Sequence, residues 1–165
     1  PEPSTPLAGR VDDDARMALV ACCGSTRWVA RMLTERPFAS QAHLHGEAER
    51  HWWLLDRRDW LEAFSHHPRI GEDLTALRQR WSADEQSGID GASEEVLTAL
   101  AEGNRKYVER FGYVFLVCAT GKSAQELLDL LHRRLDADPA AEIFTAAGEH
   151  VKITRLRLDK LGELA

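Results

Sequence analysis

Apolar residues recur at helical spacing through most of the chain. Asp12 to Cys23 opens on three acidic residues and ends at Gly24, and Ser25 to about Glu35 runs until Pro37 stops it. Ser40 to about Leu55 and Asp56 to Ser65 carry the same spacing up to Pro68, and a further helix is expected from about Asp73 to Trp81. Ser82-Ala83-Asp84-Glu85 has the form of a capping box, in which a serine and a glutamate three residues on satisfy each other's helix-start amides. A long amphipathic stretch, Ser93 to Phe111, is closed by Gly112; Ser123 with Glu126 starts a helix to Leu135, and Asp138-Pro139 starts a terminal one to about Leu161. Only Tyr113 to Ala119 looks strand-like, and a single strand has no sheet to join. The pattern predicts an all-α, single-domain compact bundle of about seven to nine helices over residues 12–165, preceded by a flexible arm, 1–11, whose first ten residues hold three prolines.

Composition narrows the function classes. The formal charge is -6 and the basic residues are scattered, which disfavours a nucleic-acid partner, because neutralising phosphates takes a concentrated positive face. No apolar run is long enough to span a bilayer and no leader opens the chain, so neither insertion nor export is expected. Three cysteines, Cys22, Cys23 and Cys118, make neither a C-x-x-C pair nor an even disulfide framework, which suggests a reducing, cytoplasmic setting.

Several residues stand out against the packing pattern. On the terminal helix Ile143, Ala147, His150, Thr154, Arg157 and Leu161 share one stripe, which puts Arg157 where a leucine would serve. An inward guanidinium must meet a carboxylate or a bound anion, so Arg157 reads equally as a structural ion-pair partner and as an anion-binding residue. Asn104 lies on the apolar face of its helix, where a buried amide is usually a structural hydrogen-bonder. His67 precedes a proline at a helix end; a surface histidine favoured by the helix dipole is the plain reading, and a proton-transfer group is the chemical one. Glu85 serves either the capping box or a pocket. Five histidines from His43 to His67 invite a metal, but no ligand spacing supports one and surface positions are the better explanation, so no metal is expected.

Taken in order, Cys23-Gly24-Ser25 with Trp28-Val29, Arg36-Pro37-Phe38, Trp60-Leu61-Glu62-Ala63-Phe64, His67-Pro68-Arg69-Ile70-Gly71, Ser82 with Glu85-Gln86 and Gly88, Asn104 with Tyr107, Arg110-Phe111-Gly112 with Phe115, and Lys152-Ile153 with Arg157-Leu158 resemble the 2-oxo-4-hydroxy-4-carboxy-5-ureidoimidazoline (OHCU) decarboxylases of urate degradation. The resemblance runs from about residue 15 to 161. Tyr113-Val114 departs from it, and the first residues match nothing. The resemblance implies a homodimer acting without cofactor on a small ureidoimidazoline to give (S)-allantoin and carbon dioxide. In that reading His67 transfers protons, Glu85 and Arg157 orient and polarise the substrate, Pro68 and Ser82 line the pocket, and backbone around Phe115 and Val117 hydrogen-bonds the ring. Two rivals remain: a related cofactor-free enzyme acting on another ureido or hydantoin compound, and a helical module that binds a purine catabolite without turning it over.

Overall fold

A computed structural model of the chain describes residues 12–67 and 93–163. Seven helices occur among them: α1 (Asp12–Cys22), α2 (Thr26–Glu35), α3 (Gln41–Trp53), α4 (Arg57–Ser65), α5 (Glu94–Phe111), α6 (Ala124–Leu135) and α7 (Pro139–Glu163). No strand is present among the described residues, as the helical periodicity predicts. Residues 113–119, the strand-like run, adopt no regular element. The expected helix at 73–81, the capping box at Ser82 and the arm at 1–11 lie outside the described residues.

The helices start where side chains can replace missing backbone acceptors. Ser25, Ser40, Asp56, Ser93 and Ser123 each accept a first-turn amide of the following helix. Asp56 with Asp59 and Ser123 with Glu126 complete reciprocal capping boxes. At α7 the Asp138 carboxylate accepts from the amide of Ala140, 3.0 Å away. Gly112 ends α5 with φ of 85°, a left-handed conformation that an L side chain adopts only at a cost.

The chain divides into two compact units. The first holds residues 1–66 and 147–165, hence α1 to α4 and most of α7. Its core is built on tryptophans that satisfy their indole N–H groups on helix carbonyls: Trp28 donates to Ala48 at 3.0 Å, Trp52 to Ala147 at 3.0 Å and Trp60 to Trp52 at 3.1 Å. Leu19, Met32, Leu44 and Phe64 fill the space around them. The His150 ring lies flat on Trp52, centroids 4.4 Å apart.

The second unit spans residues 67–146 and is organised by the packing of α5 on α6. Gly103 permits their approach, since a Cβ there would stand 2.6 Å from Leu131 Cδ2. Leu97, Leu100, Tyr107 and Phe111 of α5 and Leu127 and Leu131 of α6 are buried in this unit, and the connecting segment adds Phe115, Leu116 and Val117, also buried.

Candidate active site

His67 follows directly on the end of α4. That end is fixed from two sides within the first unit. Glu62 accepts from both the backbone amide and the hydroxyl of Thr26, each at 2.8 Å, which ties α4 to the first turn of α2. Gly24 lies against the next turn so closely that a Cβ would come within 2.4 Å of His66 Cγ and 2.9 Å of its Cβ. The His66 amide, bonded back to the carbonyls of Ala63 and Phe64, closes the helix. His67 is the next residue, half-buried and outside the helix. The first helix ends one residue before the expected Cys23, whose amide still bonds the Leu19 carbonyl at 2.9 Å, and Gly24, just past that end, also serves close approach.

Arg157 sits on α7, half-buried rather than deep in the core. The fully interior polar positions of its stripe are His150 and Thr154, at 0% and 2% exposure. Among the described residues Arg157 has no carboxylate partner. Its Nη1 donates to the carbonyl of Ala21, 3.3 Å away in the last turn of α1, where a cation is favoured by the helix dipole. Its charge also bears on Cys22 and Cys23, but burial dominates there and pushes their thiols up to about 11 and about 12. The expectation of a structural ion pair therefore finds no acid among these residues.

Asn104 is buried and its amide donates to the Leu100 carbonyl at 2.8 Å, the structural role expected of it. Phe115 and Val117 are buried at 2% and 3% exposure in the second unit. Their backbone N–H and C=O groups find no hydrogen-bond partner among the described residues, an uncommon condition for buried peptide groups. Glu85, Pro68 and Ser82 lie outside the described residues.

The histidine-rich stretch requires a correction. His45 and His51 are buried, at 7% and 6% exposure, because each meets an acid: Asp159 at 2.7 Å for His45, Glu35 at 3.2 Å and Glu47 at 3.4 Å for His51. Among the described residues, Glu35, Glu47 and His51 form the group able to bring three metal-ligating atoms together, within 4.8 Å of one another. Arg50 already reaches all three, with Nη2 at 2.6 Å from Glu47, 3.3 Å from Glu35 and 3.2 Å from His51 Nε2.

The sequence reading missed a second set of buried charges. In the second unit Arg134 and Glu142 pair at 2.7 Å, 9% and 1% exposed. Tyr107 donates to Glu142 at 2.6 Å, and burial with that bond drives its phenol well above the usual range. The signal was present: Leu127, Leu131 and Arg134 fall on one helical stripe, the anomaly that singled out Arg157.

The chain matches the model of the family described as OHCU decarboxylase over residues 11–159. It belongs to the OHCU decarboxylase family. The uric acid degradation bifunctional protein TTL of Arabidopsis thaliana is 37% identical over 145 residues, 85% of this chain and 45% of that protein. This chain thus spans less than half of the plant relative. The 2-oxo-4-hydroxy-4-carboxy-5-ureidoimidazoline decarboxylase of Mus musculus is 31% identical across 80% of this chain and 76% of its own length. Among solved structures, an OHCU decarboxylase crystallised in the presence of (S)-allantoin superposes with a TM-score of 0.76 at 33% identity, covering 93% of this chain and 99% of the other. The family and the all-α fold are those the resemblance implied. In keeping with the expected absence of a bilayer span, no helix among the described residues is long and apolar enough to cross a membrane.

Proposed function

We propose that residues 12–165 act as an OHCU decarboxylase domain, converting 2-oxo-4-hydroxy-4-carboxy-5-ureidoimidazoline to (S)-allantoin and carbon dioxide. The observation that carries this reading is the match, over nearly the whole of both chains, to an OHCU decarboxylase crystallised with (S)-allantoin.

The chemistry asks little of a cofactor. The substrate carries its carboxylate on a ring carbon beside a carbon–nitrogen double bond. When the carbon–carboxylate bond breaks, its electron pair moves into that imine and carbon dioxide leaves. A proton must then reach one face of the ring carbon that bears the ureido group. His67 acts as general acid/base, a role worth ~10²–10⁴ in rate, and an imidazole is suited to it near neutral pH. Arg157 holds an anionic or carbonyl oxygen with its two-pronged guanidinium; the absence of a carboxylate partner among the described residues and its half-buried position support this role. Glu85 accepts from ring or ureido N–H groups, while Pro68 and Ser82 line the pocket. The buried peptide groups of Phe115 and Val117, without a hydrogen-bond partner among the described residues, support their assignment as donors and acceptors for the planar ring.

A homodimer in the cytoplasm belongs to the same reading, and sedimentation tests the first part of it. Freshly generated urate-oxidation product should be consumed, and stable hydantoins left untouched. Turnover of a hydantoin in place of that product would instead support a related enzyme. Binding of (S)-allantoin with no turnover of any of them would leave a sensor module.

A further inference from the structure

The peptide groups of residues 115–117 differ in how they are satisfied. The Leu116 carbonyl accepts from Arg134 Nη1 at 2.5 Å, whereas the peptide groups of Phe115 and Val117 on either side have no partner among the described residues. Arg134 is itself fixed. Its Nε donates to Glu142 Oε2 at 2.8 Å, its Nη2 approaches the same oxygen at 2.7 Å, and the Tyr107 hydroxyl donates to that oxygen as well at 2.6 Å. The guanidinium also lies over the Phe115 ring, 4.7 Å from its centroid. With Glu142 1% exposed and Arg134 9% exposed, this network is costly to build and has few ways to rearrange.

A structural core needs no such device. The apolar side chains of Phe115, Leu116 and Val117 would hold the segment in place by burial alone, but burial fixes side chains better than it fixes the direction of a peptide plane. A charged donor on one carbonyl does fix that plane, and so determines where the adjoining peptide groups point. We infer that Arg134, held by Glu142 and Tyr107, is a positioning residue that sets the peptide groups of Phe115 and Val117 for hydrogen bonding to the ligand ring. The inference rests on the reading that those peptide groups contact the ligand.

Lysine cannot replace this arginine, because one ammonium cannot serve Glu142 and the Leu116 carbonyl in the same geometry as a three-nitrogen fork. Removing the charge from both partners, in Arg134→Met/Glu142→Gln, avoids stranding a buried carboxylate, and Tyr107 can still donate to the glutamine amide oxygen. Leu131→Ala, a cavity in the same unit remote in chemistry from the 115–117 peptide groups, supplies a control of reduced stability.

The test titrates (S)-allantoin into labelled protein and follows the amide resonances of Phe115 and Val117, with steady-state kinetics on the same variants. The wild-type amides should shift on saturation. Both Arg134→Lys and the double variant should bind (S)-allantoin about ten- to a hundredfold more weakly, with KM rising more than kcat falls, since a 1 Å misplacement is costly. Leu131→Ala should retain wild-type affinity in its folded fraction. Wild-type amides that ignore saturating (S)-allantoin would overturn the ligand-contact reading and the inference with it. Amides that shift, together with Arg134 variants that bind no worse than Leu131→Ala, would overturn the inference alone and reduce the network to fold stabilisation.

Discussion

Replacing Gly24 with alanine should damage turnover through a residue that is distant in sequence. The new methyl would lie 2.4 Å from His66 Cγ, 2.5 Å from Cδ2 and 2.9 Å from Cβ, all inside any real Cβ contact. A rotation of the exposed ring relieves the first two overlaps, but the third involves an atom bonded to the backbone. The last turn of α4 must therefore move by several tenths of an ångström, and His67 is the next residue after it. Overpacking of this kind costs about 1–3 kcal/mol. Alanine returns about 0.4–1 kcal/mol by restricting the unfolded chain, because Gly24 does not use a positive φ. A net loss of about 1–2 kcal/mol is expected from these two terms. Turnover should fall by more than that loss explains, to about a tenth or less, since general acid/base catalysis depends on reach. Thermal melting and the rate of allantoin formation measure the two effects separately. The decisive variant is Gly24→Ala/His66→Gly, in which the ring and the offending Cβ are both gone: it should recover most of the lost turnover, a coupling that contacting residues show and remote ones do not. A single variant with wild-type rate, or a double variant no better than the single, would refute the reasoning.

Arg157→Ala should lose turnover with no more than about 1.5 kcal/mol of stability, because it gives up one hydrogen bond to the Ala21 carbonyl and strands no acid among the described residues. Arg157→Lys should also fail in turnover and (S)-allantoin binding; a stability loss of ~3–5 kcal/mol on truncation to alanine, with normal affinity in the folded fraction, would point to a structural ion pair instead. Stability should decline in alkali: Cys22 and Cys23 stay protonated in the fold up to about 11 and about 12 but ionise near 9.0 when unfolded, so their contribution is complete below pH 9.0 and is lost as pH rises toward those folded values. Each thiol adds a slope of about 1.4 kcal/mol per pH unit at most, and Cys23→Ala should flatten the denaturation profile above pH 9.0. Exhaustive chelation should leave turnover unchanged; loss restored by one divalent metal would revive the Glu35, Glu47 and His51 cluster as a functional site.

The helices were legible because their signals are local. Ser25, Ser93 and Ser123 cap what their positions announce, and Gly112 takes the left-handed conformation that closes α5. The run at 113–119 looked strand-like without a sheet to join because β-branched and aromatic residues favour any buried extended backbone, whether or not a neighbouring strand exists. Buried polar pairs were the hardest to read. His45 and Asp159 are 114 residues apart, and Tyr107 and Glu142 are 35 apart, so each residue alone looks like an ordinary surface group. Arg157 was noticed because it interrupts an apolar stripe, yet its partner, a backbone carbonyl of another helix, leaves no trace in residue type. Gly24 was read as helix punctuation because a glycine's close contact is with a residue that only the fold brings to it.

The central claim is that the chain decarboxylates its substrate and protonates one face of the product. Urate oxidised in the presence of this protein can be followed by circular dichroism as allantoin appears, alongside a His67→Asn variant in which an amide replaces the imidazole but cannot exchange a proton near neutral pH. Wild-type protein should produce the dichroic signal of (S)-allantoin from the start of the reaction. The His67→Asn variant, folded by its thermal melt, should give little more than the racemate of spontaneous decay. A racemic product from the wild-type protein would contradict the account, and an enantiopure product formed at wild-type rate by His67→Asn would remove His67 from its chemistry.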